Sequence, residues 1–299
     1  MIRSLRKRFI LFCVLVISII LIVISFFIFL NPEGELSILR WIVTIIVGIT
    51  MVFIGSLILS KIAIAPIKRA WQKQLDFTAD ASHELRTPLA VIRTNLELIM
   101  DCKEESVESQ MKWLKNIDAE SQRMTKLIDD LLTLSRADTN RQEFEQNEFL
   151  LEQAVNEAVM TFEGIAKQKG ICLHVQTNNN ILFCGDRKRI KQMLIIILDN
   201  AIWYSGASDI AVSVMENKRN IEIKVHDNGC GIAEEHLEHL FDRFYRVTET
   251  RNRNPDGAGL GLSIAKWIVE GHGGKIFVKS VLGEETEFRI TFFQNRLIA

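Results

Sequence analysis

Cysteine is sparse and scattered in this 299-residue chain: Cys13, Cys102, Cys172, Cys184 and Cys230 form no C-x-x-C pair, and Cys13 lies inside an apolar run. That spacing argues against a disulfide framework or a zinc cluster and leaves reduced cytosolic thiols as the plain reading. Net charge is also missing. The 36 Lys and Arg against 37 Asp and Glu leave -1 at neutral pH, which removes any whole-chain case for a nucleic-acid binder. There is no internal repeat and no low-complexity segment, and 48% hydrophobic against 24% charged residues exclude a disordered or collagen-like chain. Mean hydropathy is +0.13, and the apolar excess sits in the first sixty residues.

Charge is absent altogether from Phe9 to Leu30 and again from Trp41 to Ser60. Helices of those lengths reach about 30 Å, the thickness of a bilayer core, so residues 9–30 and 41–60 are expected to be two transmembrane helices. The first run is longer than the apolar region of a cleaved signal peptide, and no small-x-small site follows it. Arg3, Arg6, Lys7 and Arg8 precede the first span, and Lys61, Lys68, Arg69 and Lys73 follow the second, while the connection between them carries Glu33, Glu35 and a single Arg40. The positive-inside rule then puts residues 1–8 and everything after residue 60 in the cytoplasm, with 31–40 as a short extracytoplasmic loop. Such a loop is too small to fold as a ligand-binding domain. A stimulus would enter through the lipid bilayer, through that loop, or through a membrane partner protein.

Beyond residue 60 the texture changes once, near residue 140. Leu85, Leu89, Ile92, Leu96 and Ile99 alternate spacings of four and three, and Leu114, Ile117, Met124, Ile128 and Leu131 resume the seam after an acidic turn at residues 104–109. Residues 61–140 therefore read as a helical hairpin. One hairpin cannot bury both seams, so pairing of two copies into a dimeric four-helix bundle is the natural completion. In residues 141–299, helices are expected near 150–167, 187–203, 234–241 and 260–272, and strands near 171–176, 208–215, 221–226, 275–280 and 287–293. This mixture predicts an α+β sandwich, one sheet covered by helices on one face. The polar segment 248–256 reads as a mobile loop.

If Leu85, Leu89 and Ile92 hold the seam, His83 lies just off it and faces solvent, with Glu84 beside it and Thr87 one turn on. A neutral imidazole nitrogen can attack a phosphoryl group if the other ring nitrogen passes its proton to a carboxylate, and Glu84 is the nearest in sequence. Pro88 removes the amide that would bond to the Glu84 carbonyl, loosening the helix there. Taken bare, a surface His beside a Glu is more often inert. The full run from Ser82 to Leu89, SHELRTPL, resembles the phosphoacceptor box of sensor histidine kinases in two-component signalling. The resemblance implies that His83 takes a phosphoryl group from ATP, that Glu84 assists as base, and that Thr87 helps to dephosphorylate a separate response regulator.

Three further segments suit a nucleotide. Asn200, in Asp199-Asn200-Ala201 at the end of a helix, offers a side-chain carbonyl to Mg²⁺. In Asp227-Asn228-Gly229-Cys230-Gly231 the carboxylate can accept from an exocyclic amine, and the glycines let backbone approach a flat base. Gly257-Ala258-Gly259-Leu260-Gly261 opens a helix whose free amides suit a phosphate. Each segment also occurs in plain turns, but their order is similar to the Bergerat-like ATP-binding domain shared by histidine kinases, gyrase-type ATPases and related chaperones. The likeness implies ATP and Mg²⁺ as ligands, with Asp227 on adenine, Asn200 on the metal, and Tyr204, Gly229, Gly231, Gly257, Gly259 and Gly261 lining the pocket and its lid. Phe241 and Phe244 match the family's phenylalanine box or serve as plain core. Arg243 and Arg246 reach phosphates or solvent. His236 and His239, three apart on a predicted helix, have no third ligand nearby in sequence and read as a solvated face.

Two positions depart from the family pattern. Four residues before Asn200 the kinases carry another Asn, and here stands Ile196; three residues after it they carry Lys or Arg, and here stands Trp203. Losing the cation alone is expected to weaken ATP binding by about tenfold or more, and Ile196 cannot activate water as the Glu of gyrase-type ATPases does. The expectation is a membrane-anchored, homodimeric ATP-dependent protein-histidine kinase with an attenuated site, its domains at 61–140 and 141–299. A phosphatase-biased receptor acting through Thr87 and a non-catalytic membrane scaffold are the alternatives that Ile196 and Trp203 keep open. From Lys61 to His83 is about 33 Å of helix, too short for the family's common relay domain of about fifty residues, so the second span would act on the hairpin directly.

Overall fold

The computed structural model describes residues 65–102, 106–138, 144–177, 180–217, 220–247 and 257–293, with short stretches between residues 15 and 26 and between 42 and 55. The chain divides into two compact units, residues 1–79 and 80–299. In the first, the described parts of both apolar runs are helical. Much of the expected spans at 9–30 and 41–60, the whole of 1–8 and the loop 31–40 lie outside the described residues. No helix among the described residues is long and apolar enough to cross a membrane. The loop expected at 248–256 also lies outside them.

Helix α1 (Ala65–Asp101) continues through Pro88. Helix α2 (Val107–Asp138) starts inside the stretch that its acidic residues suggested was a turn. The reason is local: Glu108 sits in the first helical turn, where a carboxylate complements the helix dipole, and the Ser109 hydroxyl bonds the Ser106 carbonyl at 2.7 Å. The expected seam is divided. Leu85, Ile92 and Ile99 are half-buried, while Leu89 and Leu96 remain 57% and 48% exposed. Pro88 and Asn95 of α1 are both buried, and the Asn116 amide of α2 donates to Asn95 Oδ1 at 3.2 Å. Further along α2, Leu127 and Leu134 are buried in the core of the domain that follows.

That domain contains strand β1 (Asn147–Leu150), helix α3 (Leu151–Lys169), strands β2 (Cys172–Thr177) and β3 (Leu182–Gly185), and helix α4 (Arg187–Trp203). Strands β4 (Asp209–Asn217) and β5 (Asn220–Asp227), the short helix α5 (Glu234–Leu237), helix α6 (Gly261–Gly271), and strands β6 (Lys275–Val281) and β7 (Glu285–Phe293) complete it. The main sheet runs β2-β4-β5-β7-β6, with β2 parallel to β4 and every other pair antiparallel. Buried residues follow each element's own period. Helix α4 buries Ile190, Met193, Leu194, Ile197, Leu198, Ala201 and Ile202, a spacing of three and four. Strand β5 buries every second residue from Ile221. Helices α3, α4 and α6 join the inward residues of β4, β5 and β7 in one core, at roughly 1.5–3 kcal/mol for each large apolar side chain. The expected sandwich is therefore present. Two strands escaped the sequence reading: β1 and β3 are four residues each and pair antiparallel as a separate small sheet, too short for a period to show. Helix α5 ends at Leu237 rather than 241. There the imidazoles turn to local partners, His236 to the Tyr245 hydroxyl at 2.8 Å and His239 to Asp242 at 2.9 Å.

Candidate nucleotide and phosphoacceptor site

Strand alternation puts a carboxylate where an apolar residue is expected. Ile221, Ile223, Val225 and Asp227 are the successive inward positions of β5, so Asp227 is only 2% exposed at the strand's end. The Gly229 amide donates to its Oδ1 at 3.1 Å. Burial pushes the Asp227 carboxyl up to about 6, against the opposing pull of the Gly229 amide, His226 and the Ser205 hydroxyl. Directly across the ladder is Thr286, also buried, whose hydroxyl lies 2.9 Å from that of Ser280. The sequence reading missed Thr286. Its signal was the same as that of Asp227: a polar residue heading an inward column, here Thr286, Phe288, Ile290 and Phe292.

Both residues line a cavity of about 920 Å³. Helix α4 supplies Ile196, Asp199 and Asn200, and Tyr204 follows at its C-terminal cap. The helix is set by Asp186, whose carboxylate accepts from the Arg189 amide at 3.1 Å, and by His272, whose Nε2 accepts from the Asp186 amide at 3.0 Å. Asn200 donates its Nδ2 to the Ile196 carbonyl at 2.7 Å, so its Oδ1 is the atom left to meet a cation. Among the described residues no group of three His, Cys, Asp or Glu could hold a metal. One amide oxygen beside phosphate oxygens still matches what Mg²⁺ asks of a protein.

Gly231, Gly257, Gly259 and Gly261 also face the cavity. Gly231 has φ of +63°, and a Cβ there would overlap the Val281 carbonyl oxygen. Gly259 has φ of +72° and packs within 2.8 Å of the Phe244 carbonyl carbon at the place a Cβ would occupy. Phe244 itself has φ of +61°, a strained conformation held in place by the hydrogen bond that its backbone N–H donates to the Gly259 carbonyl at 3.0 Å. Gly229 is placed against Ser205 beneath the Asp227 carboxylate rather than on the cavity wall. Phe241 and Phe244 pack on the core. The two arginines part company. Arg246 lines the cavity. Arg243 does not; its guanidinium grips Asp138, the last residue of α2, through two bonds of 2.8 and 2.6 Å.

The hairpin forms one side of the cavity. Glu84 and Pro88 from α1 and Arg123, Lys126 and Asp130 from α2 are part of its wall. His83 and Thr87 are exposed on α1, and His83 is one residue from the wall rather than in it. An imidazole, a neighbouring carboxylate and a cavity with a buried carboxylate in its wall thus occur within one unit.

Residues 73–140 match the family model of the His Kinase A phospho-acceptor domain, and residues 185–296 match that of the histidine kinase-, DNA gyrase B- and HSP90-like ATPase. The chain belongs to the sensor histidine kinase family. It is 38% identical over 226 residues to the sensor histidine kinase YkoH of Bacillus subtilis, covering 76% of this chain and 49% of YkoH. To the sensor protein DltS of Streptococcus agalactiae it is 34% identical over 232 residues, covering 77% of this chain and 57% of DltS. The chain thus spans about half the length of these relatives. Among solved structures, histidine kinase AdeS of Acinetobacter baumannii superimposes with a TM-score of 0.59 at 28% identity, covering 72% of this chain and 98% of AdeS.

Within this kinase family the two unusual positions have visible neighbours. Ile196 fills the space beside Gly261, whose Cβ, if present, would lie 3.1 Å from Ile196 Cγ2. Trp203 is outside the cavity wall, with Lys169 Nζ over its ring at 3.5 Å.

Proposed function

We propose that this chain is a membrane-bound, dimeric protein-histidine kinase that phosphorylates His83 from ATP and passes the phosphoryl group to an Asp of a separate response regulator. One observation carries the reading: Asp227, Asn200 and the lid glycines share a cavity with Glu84, the neighbour of His83. Asp227 accepts from the adenine amine and Thr286 lies opposite it. Gly257, Gly259 and Gly261 present backbone to the phosphates, Arg246 adds charge, and Tyr204 and Gly231 close the wall. Asn200 would hold Mg²⁺ through Oδ1, and the ion, when bound, neutralises phosphate charge.

In the transfer, an imidazole nitrogen lone pair forms a bond to the γ-phosphorus as the bond to the β–γ bridging oxygen breaks, and ADP leaves with that electron pair. The proton on the other ring nitrogen goes to Glu84. Thr87, exposed one turn from His83, suits a role in removing phosphate from the regulator. The exposed Leu89 and Leu96 suit a second copy of the chain. The apolar runs and their basic flanks support a multi-pass bacterial membrane location with the kinase in the cytoplasm. Helix α1, unbroken from Ala65 past His83, supports direct signal transmission, and insertion of one to four alanines near Ala70 should change output with helical periodicity.

The decisive test is incubation of the full chain in lipid nanodiscs with γ-labelled ATP and Mg²⁺. Acid-labile label on the wild type and none on His83→Gln supports the kinase. Nucleotide binding without label favours the non-catalytic or phosphatase-biased readings, which Ile196 and Trp203 motivate.

A further inference from the structure

Three polar side chains stand in one row across the main sheet. Ser280 of β6 is paired in register with Thr286 of β7, and Thr286 with Asp227 of β5. Each sits at the end of an inward column, which for Ser280 is that of Ile276 and Val278. Asp227 and Thr286 line the cavity, whereas Ser280 is not in its wall. The hydroxyl of Ser280 has three partners. Its oxygen lies 2.6 Å from the Glu285 carbonyl oxygen, 2.8 Å from the Ile232 backbone nitrogen and 2.9 Å from Thr286 Oγ1. A carbonyl can only accept, so the single Ser280 proton goes to Glu285. A backbone N–H can only donate, so Ile232 takes one of the two lone pairs. The contact with Thr286 then uses the Thr286 proton, which takes the second. One donor and two acceptor positions are all that a hydroxyl has, and at Ser280 every one is filled.

Thr286 is thereby left with no proton to give, and its buried Oγ1 offers the cavity lone pairs only. We infer that Ser280 is a positioning residue that sets base specificity: by taking the Thr286 proton it makes Thr286 a pure acceptor beside the Asp227 carboxylate, and the cavity thus selects a 6-amino over a 6-oxo purine nucleotide. This assignment rests on the reading of the cavity as an ATP site and adds the means by which that site rejects the other class of purine. Asp227 Oδ1 is occupied by the Gly229 amide at 3.1 Å, which leaves Oδ2 for the base. An exocyclic amine brings two N–H donors to this pair of acceptors. A 6-oxo group brings lone pairs against lone pairs, and a buried acceptor without a donor is disfavoured. With its proton released, Thr286 could turn and donate to that oxygen.

The test is displacement of a fluorescent ATP analogue from the full chain in nanodiscs, by ATP and by inosine triphosphate, which has an oxygen in place of the 6-amino group. At pH 8 the Asp227 carboxyl, raised by burial to about 6, is ionised in both measurements. Ser280→Ala should lower the ratio of ATP affinity to inosine triphosphate affinity about tenfold, and Ser280→Thr should keep it. Thr286→Val removes the lone pairs and should lower the ratio as well, and Ser280→Ala added to it should change the ratio no further. A wild-type ratio in Ser280→Ala or in Thr286→Val overturns the inference, even where both affinities fall together, since that marks the hydroxyls as structural support alone. A wild type that binds no adenine nucleotide at all instead defeats the reading of the cavity, and the inference with it.

Discussion

Replacing Asp227 by Asn should make the protein more stable and less able to bind ATP, in opposite directions from one atom's change. The carboxylate is 2% exposed, and burial lifts its pKa from 3.8 to about 6. That gap corresponds to about 3 kcal/mol between the two protonation states. A raised carboxyl pKa means that the folded chain holds the proton more tightly than the unfolded chain. Stability from this group is therefore greatest at low pH, declines as pH rises past 3.8, and carries its full penalty above about 6. Asn keeps an oxygen for the Gly229 amide and never ionises, so Asp227→Asn should gain up to about 3 kcal/mol at pH 7.5, with the gain shrinking toward zero near pH 4. The amide also offers adenine a weaker acceptor than a carboxylate; loss of a charge-assisted bond of about 1.5–3 kcal/mol should lower ATP affinity by about tenfold or more. Thermal unfolding of both proteins in nanodiscs at pH 4.5 and 7.5, beside ATP titration, reads both effects. A variant that is equally or less stable at pH 7.5, or that binds ATP as well as wild type, would refute the account of Asp227 as a desolvated charge kept for recognition.

Gly231→Ala drives a Cβ into the Val281 carbonyl at φ of +63°; thermal unfolding should show a loss of about 2 kcal/mol or more, and ATP binding should fall with it. Leu89→Asp combined with Leu96→Asp should shift sedimentation from dimer to monomer without lowering the unfolding temperature of the nucleotide domain, and a dimer that persists would place the interface elsewhere. Arg243→Ala removes the two bonds to Asp138. As a partly exposed pair it should cost at most about 1 kcal/mol in stability, but the rate of His83 labelling should change, and change less with salt than in wild type; an unaltered rate and salt response would reduce the pair to surface decoration.

The salt link between Arg243 and Asp138 sits where the hairpin ends and the nucleotide domain's phenylalanine segment begins. Together with Leu127 and Leu134, which the hairpin buries in that domain's core, it makes the position of α2 a determinant of the cavity's shape. The pair of helices that carries His83 therefore also forms part of the cavity's wall.

Local periodicity was enough to define most elements. The apolar spacing of α4 marked Arg187–Trp203 from end to end, and alternation marked β5 and β7, because burial of one face imprints a period on any element long enough to repeat it. SHELRTPL and the three glycine- and Asn-bearing segments were legible because their chemistry is carried by residues adjacent in the chain. What the sequence by itself could not decide was which distant residues meet. The strands β1 and β3 are too short to show a period, Thr286 acquires meaning only opposite Asp227, and Arg243 turns to Asp138 rather than to the cavity. The division of the hairpin seam, with Asn95 buried and bonded to Asn116 while Leu89 and Leu96 face outward, was likewise settled by packing. Spacing along a helix says that a stripe is apolar, but the partner against which each part of the stripe is buried belongs to the tertiary structure alone.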